Sequence, residues 1–284
     1  MKKVRIITHT GCDLPENIAE KYGIIFVSDH VIIDGKDYRN NIDITRDEFY
    51  GMLEDCESFP TSAHPSPAEF ADAFRLCSDA DEIICILLSS RATGSFQSAR
   101  IAASLLDNDS FNPKIFLYES SSISFGTGLS VLRAAQMADS GCPASEILDT
   151  LDKTEKNIKV YFTLKTLEYA SKSGRISEVI AKTAGAIGII PVLQYTNSET
   201  RCIMKAFSLE RAVKEIEKQL VKSICASAKT TVFIFHTDNF QKADKLRSDI
   251  SAKYPDLNIE TGAVSPVLSA YTGRGCVGIA FLSE

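Results

Sequence analysis

Apolar positions along this chain fall into two kinds of stretch that alternate. Short runs such as 24–27, 83–88 and 115–118 are wholly apolar, and 4–8 is so apart from Arg5 and Thr8, as strands buried on both faces would be. Between them lie stretches whose apolar residues recur every three or four positions, as on helices with one buried face. The spacing predicts helices at 16–22, from Thr45, from Ser66-Pro67, at 95–106, at about 127–137 and from Pro143. The boundaries carry their own chemistry. Gly23 stops the first helix, Asp34-Gly35 marks a turn, and Thr45 with Glu48 spells a capping box. Ser66, Pro67 and Glu69 read as N-cap, N1 and N3, and Pro60–Pro67 as a rigid hydroxyl-rich loop before them. Strands alternating with helices predict a parallel α/β sheet with right-handed crossovers.

From about residue 156 the pattern changes. A strand at 159–164 leads to a helix at 166–173 and a sharp turn at Gly174-Arg175. Runs 189–195 and 202–207 flank a polar stretch, as a hairpin would. Helices at 208–227 and 239–253 alternate with strands at 231–236 and 257–261, and the chain closes with 264–271, a glycine-rich turn and 278–282. The expectation is two unlike α/β domains, 1–155 with a parallel sheet and 156–284 with a mixed one. The cleft between them is the default ligand site.

Composition narrows the partners. The 284 residues are 44% hydrophobic and 24% charged, with a net charge of −6 and no basic cluster, which argues against nucleic acid and anionic membrane surfaces. No apolar run approaches the ~20 residues needed to span a bilayer. The chain goes from Met1 almost directly into a strand, so no signal peptide is expected, and the reading is a cytoplasmic protein. The eight cysteines form no Cys-x-x-Cys pair and have no histidines at zinc spacing, so they read as reduced thiols.

Candidate chemistry centres on Ser89-Ser-Arg-Ala-Thr-Gly-Ser95, between the 83–88 strand and the next helix. Backbone N–H groups and a helix N-terminus there suit a carboxylate or phosphate head group. One helix cap needs one hydroxyl; Ser89, Ser90, Thr93 and Ser95 supply four. Further hydroxyls at Thr8/Thr10, Thr61/Ser62 and Ser120–Ser122 follow other strands, and loops at the carboxyl ends of parallel strands converge on one crevice.

Competing motifs fail. Gly273-Arg-Gly-Cys-Val-Gly278 matches G-x-G-x-x-G but precedes a strand rather than a helix, so it reads as a glycine-rich hairpin near the cleft. No Walker A pattern or Gly-x-Ser-x-Gly elbow exists. No metal site or cofactor is implied. His9 and His64 lie in hydroxyl-rich loops, which keeps a serine- or histidine-dependent acyl ester hydrolase as an alternative, beside a regulatory module for another small ligand. Arg175 follows a flexible glycine and reads as a surface charge or a donor to an anionic head group.

Six blocks in order resemble the DegV family of bacterial lipid-binding proteins. They are Ile7–Pro15, Asp34–Arg39 with Asp43–Tyr50, Thr61–Pro67, Ser89–Ala99, Thr166–Ile176 and Pro266–Gly278. The resemblance implies two α/β domains with a long-chain fatty acid buried between them. It also implies a non-enzymatic carrier that presents the carboxylate to a separate ATP-using kinase subunit, which makes acyl phosphate for phospholipid synthesis. The family's carboxylate-binding hydroxyls fall on Ser62, with Thr61 as the alternative, and on Thr93, with Gly94 and Ser95 beside it. The chain departs from the family in having His9 for Asp, His64 for Gln, and Tyr271 for the head-group His. Arg274 stands for the Pro of the last block, a charge directed to the head group or to solvent.

Overall fold

In the computed structural model, residues 2–107, 111–176, 188–223 and 230–282 are described. In chain order the first half runs β1 (Val4–His9), α1 (Glu16–Tyr22), β2 (Ile25–Val27), β3 (His30–Ile33), β4 (Lys36–Arg39), α2 (Arg46–Asp55), β5 (Thr61–Ala63), α3 (Pro67–Arg75), β6 (Glu82–Leu87), α4 (Ser95–Asp107), β7 (Lys114–Glu119), α5 (Ser124–Asp139) and α6 (Ala144–Thr154). The second half runs β8 (Ile158–Thr163), α7 (Glu168–Lys172), β9 (Ile190–Thr196), β10 (Glu199–Ala206), α8 (Leu209–Ser223), β11 (Thr231–His236), α9 (Phe240–Lys253), β12 (Asn258–Ala263), α10 (Pro266–Thr272) and β13 (Val277–Leu282). Residues 224–227 of the helix expected at 208–227 lie outside the described residues.

The described strands form three sheets. The first is wholly parallel, in the order β2-β1-β6-β7, as the apolar runs predict. The second is mixed, in the order β10-β9-β8-β13-β11-β12, with only β11 and β12 parallel. The third, β4-β3-β5, is small and antiparallel. Its strand β5 lies inside the stretch read as a loop at 60–67. Three residues carry no periodicity, and only pairing with β3 makes them a strand.

Both halves share the main core. Helix α5 is buried on every side over most of its length, because the parallel sheet lies on one face and the mixed sheet on the other. Phe125 stacks on Phe235 and lies against Phe233, each at 5.3 Å between ring centroids. A buried phenylalanine contributes about 1.5–3 kcal/mol. Gly126 lets β8 approach this closely: a Cβ there would stand 2.5 Å from Val160 Cγ2. No described helix is long and apolar enough to cross a membrane.

Local signals behave as expected at several boundaries. Both capping boxes form, at Thr45/Glu48 and at Ser66/Glu69. Gly23 closes α1 in the left-handed region. Two further expectations change. The face α4 buries is Ser95, Ser98, Ala99, Ala102 and Leu106, while Ile101 and Leu105, which the apolar spacing of the 95–106 helix would place with Ala102 and Leu106, are 41% and 54% exposed. Small residues win that face because α3 and the parallel sheet pack close to it. The glycine-rich segment is also not a hairpin. Pro266 at the first helical position starts α10, and Gly273, at φ 62°, ends it before the turn into β13. Among the described residues seven cysteines are present, all free thiols.

Candidate functional site

A cavity of about 610 Å³ lies between the parallel and mixed sheets and is lined from both halves of the chain. Its bed is apolar. Strand β8 and the residue after it contribute Val160, Phe162 and Leu164, two apart and therefore on one face. Leu88, Phe235, Val264, Val267 and Leu268 face them from other elements. Cys276 also lines the bed, and burial pushes its thiol far above the ordinary range, so it stays neutral.

The mouth is polar and has two walls. The first is the turn at the head of α4. Thr93 and Gly94 line the cavity; Ser95 is buried behind them, its hydroxyl 2.9 Å from that of Thr93. Gly94 leaves room for the His64 ring: a Cβ there would stand 2.6 Å from it, and the exposed ring would have to turn aside. The second wall joins the halves. The Ser62 hydroxyl on β5 is hydrogen-bonded to the Tyr271 hydroxyl on α10, and the Arg175 guanidinium lies 4.9 Å over the Tyr271 ring. Ser62, His64, Arg175 and Tyr271 all line the cavity. Thr61 is exposed and absent from its lining, because adjacent strand residues face opposite sides.

Across the mouth, Arg91 Nη1 lies 2.6 Å from Glu199 Oε1 at the start of β10. The hairpin that carries Glu199 is also held by Ser198 N–H, which donates to Ser121 O at 3.2 Å. Sequence reasoning missed this bridge, since nothing in either segment marks its partner.

His9 lines the cavity but is almost wholly buried. Its Nδ1 lies 2.8 Å from Asp29 Oδ2, and its Nε2 accepts from Leu88 N–H at 3.3 Å. A ring that accepts at Nε2 carries a proton on Nδ1, facing Asp29. Gly11 N–H and the Thr10 hydroxyl also donate to Asp29, at 2.8 and 2.9 Å. Burial alone would raise the Asp29 carboxyl; His9, Gly11 and Thr10 outweigh it and hold it below the usual carboxylate range. The arrangement orients a histidine by a carboxylate, as a hydrolase needs, but both ring nitrogens are already engaged and neither faces a nucleophile. His64 is exposed and has no carboxylate partner among the described residues.

The hydroxyl-rich loops converge only in part. Ser62 and Thr93 reach the cavity, whereas Thr10 is spent on Asp29 and Ser120 on Thr127 at 2.8 Å. Ser124 was not singled out from sequence, yet it lines the cavity and donates to Asp13 Oδ2 at 2.5 Å. Ser265 N–H donates to the other oxygen at 2.9 Å, so one buried carboxylate joins the loop after β1, the head of α5 and the head of α10. Burial pushes Asp13 up to about 6, with Ser124, Ser265 and Arg46 pulling the other way. Arg274 faces neither head group nor solvent alone: it pairs with Glu54 at 2.7 Å and Asp238 at 3.2 Å, and donates to Tyr50 O at 2.5 Å.

Comparisons with known proteins agree with this architecture. A DegV domain-containing protein of Listeria monocytogenes is 28% identical over 280 residues, covering 98% of each chain. The fatty-acid-binding DegV family protein of Thermus thermophilus superposes with a TM-score of 0.90 at 24% identity over 100% of both chains. The fatty acid kinase B3 protein of Streptococcus pneumoniae, loaded with linoleic acid, superposes with a TM-score of 0.88 at 21% identity, covering 99% of this chain and 100% of that one. These two likenesses establish a shared fold. The profile described as uncharacterised proteins of the DegV family matches residues 3–284, and the chain therefore belongs to the DegV family.

Proposed function

We propose that this protein is a fatty-acid carrier that grips its ligand between two units, residues 1–155 and 156–284. The observation that carries the reading is the cavity itself, an apolar bed fed by both halves and ending in a mouth of hydroxyl donors. Each buried CH₂ contributes about 0.8 kcal/mol, so a long acyl chain supplies the affinity and the head group sets orientation. Ser62, Thr93 and Tyr271 serve as neutral donors to the carboxylate, with Gly94 leaving room beside them and Ser95 holding Thr93 from behind. Arg175 and His64 flank the mouth, and His9 acts on it through Leu88 N–H. Thr61 keeps only a supporting place on β5.

The carboxylate then stands at the surface for a separate ATP-using kinase subunit, which forms the acyl phosphate. Support comes from the fold shared with a fatty acid kinase B protein and from the sequence's lack of a Walker A loop. Neutral hydroxyls suit a ligand that must be handed on, because a buried ion pair would hold it more tightly. Mass spectrometry of lipid extracted from purified protein should show a copurifying long-chain fatty acid, and delipidated protein should bind oleate. Lipid-free protein that takes up neither oleate nor palmitate would refute the carrier reading. A specific non-lipid ligand in the extract would favour a regulatory module instead.

A further inference from the structure

The start of β3 is anchored on both of its faces. Asp29 points inward to His9, Thr10 and Gly11, as described above. His30, next in the chain, points outward: its Nδ1 lies 2.9 Å from Asp37 Oδ1 on β4, and its Nε2 lies 2.9 Å from Glu69 Oε1 on α3. Carboxylates only accept, and a neutral imidazole has one N–H, so both bonds together require the imidazolium. Glu69 is doubly used. Its other oxygen accepts from Ser66 N–H at 2.8 Å and from the Ser66 hydroxyl at 2.7 Å, completing the capping box of α3.

This clasp encloses the segment that forms one wall of the mouth. Ala63 on β5 pairs directly with His30, and Ser62 pairs with Val31. The chain then passes His64 and reaches α3 at Pro67, where Glu69 holds the same histidine from the other side. We propose that His30 is a positioning residue for the Ser62 wall: as an imidazolium bound to Asp37 and Glu69, it holds β5 and His64 in place, and acyl affinity falls when it loses its proton. The affinity part rests on the fatty-acid reading above.

The charges facing His30 are Asp37 from β4 and Glu69 from α3. Arg39, its register partner on β4, is taken up by Asp43 at 2.8 and 2.9 Å, so its repulsion is largely cancelled. Burial disfavours the charged ring, but Glu69 and Asp37 outweigh it and raise His30 above its ordinary value of 6.5. A histidine raised in this way tightens the fold fully below the ordinary value, and the effect is lost as pH rises through the folded value.

The test measures oleate affinity of full-length protein between pH 6 and 9, with His30→Gln and His30→Lys beside the wild type. A proton-NMR titration of the four histidines, with His30 assigned by its absence in the variants, runs in parallel. The wild type should weaken about two- to five-fold as His30 deprotonates, as expected for a partly exposed charged pair. His30→Gln should be weak and flat across this range, and His30→Lys should restore the low-pH affinity. An unchanged pH profile in His30→Gln, or a His30 midpoint at or below the ordinary value, would overturn the proposal. If wild-type protein binds no oleate at any pH, the carrier reading fails and the clasp is judged by amide exchange at Ser62 and His64. After correction for intrinsic rates, that exchange should quicken above the His30 midpoint in wild type alone; no such difference would overturn the clasp as well.

Discussion

The two walls of the mouth are built in opposite ways. The Thr93–Ser95 wall comes from one short segment: a buried strand ends, a turn follows, and a helix begins within eight residues. Its hydroxyls bond to each other, and the exposed His64 ring rests on its glycine. The Ser62–Tyr271 wall joins residues 209 apart in the chain, one on a three-residue strand and one near the end of a seven-residue helix. The first wall is a property of a segment. The second exists only when the two halves are packed together, so it is the one that opening the cleft would undo.

Substitutions that load each wall separately test this contrast. The largest effect is expected from Gly94→Val, whose side chain pushes the exposed His64 ring aside and intrudes on the cavity mouth that Gly94 lines; overfilling a binding site in this way costs about 1–3 kcal/mol, or up to roughly a hundred-fold in oleate affinity. Isothermal titration would measure it, and wild-type affinity would show that the turn is more pliable than its contacts suggest. Next comes Asp13, which ties three cavity elements together. Its carboxyl is raised to about 6 from an ordinary 3.8, so its contribution to stability is present below about 4 and lost as pH rises through 6. At a little over one kcal/mol per pKa unit, the loss is about 2–3 kcal/mol. Thermal unfolding from pH 4 to 8 should therefore show a smaller loss of stability with rising pH in Asp13→Asn than in wild type; parallel curves would contradict it.

Removing the donors comes third. Thr93→Ala with Ser62→Ala should weaken oleate binding about ten-fold, one hydrogen bond to a charged group being worth about 1.5–3 kcal/mol before water replaces it. Unchanged affinity would move the head group elsewhere. In the single variants, Ser62→Ala should also ease separation of the halves, seen as faster amide exchange around Tyr271, whereas Thr93→Ala should not. The smallest effect is expected from Glu199→Gln, which breaks an exposed bridge to Arg91 and should change affinity by less than about two-fold at physiological salt. A larger change would make that bridge a working latch.

Much of the first wall was legible in advance. The 83–88 run, the hydroxyl cluster and the following helix could be read locally, and Thr93 lines the cavity where that reading put a head-group contact. The second wall was legible only by family resemblance, and its parts had to be sorted by the fold. Pairing of β5 with β3 turned Ser62 inward and Thr61 outward, which the run Pro60-Thr-Ser-Ala63 does not reveal. The apolar bed was hidden for the same reason. Val160, Phe162 and Leu164 read as ordinary core until α5 and the parallel sheet are seen to leave space above them.

The sequence by itself determined most of the elements and their caps, the parallel main sheet of the first half and the mixed sheet of the second, and the turn that seats Thr93. These follow from interactions within a few residues, where side-chain period, glycine and capping hydroxyls act directly on the backbone. The tertiary structure alone decided that His9 is spent on Asp29 and Leu88, that Arg274 turns to Glu54 and Asp238, and that Ser62 meets Tyr271. Each of those pairs joins segments with no local preference for one another. They meet because burying α5 between two sheets brings the halves together.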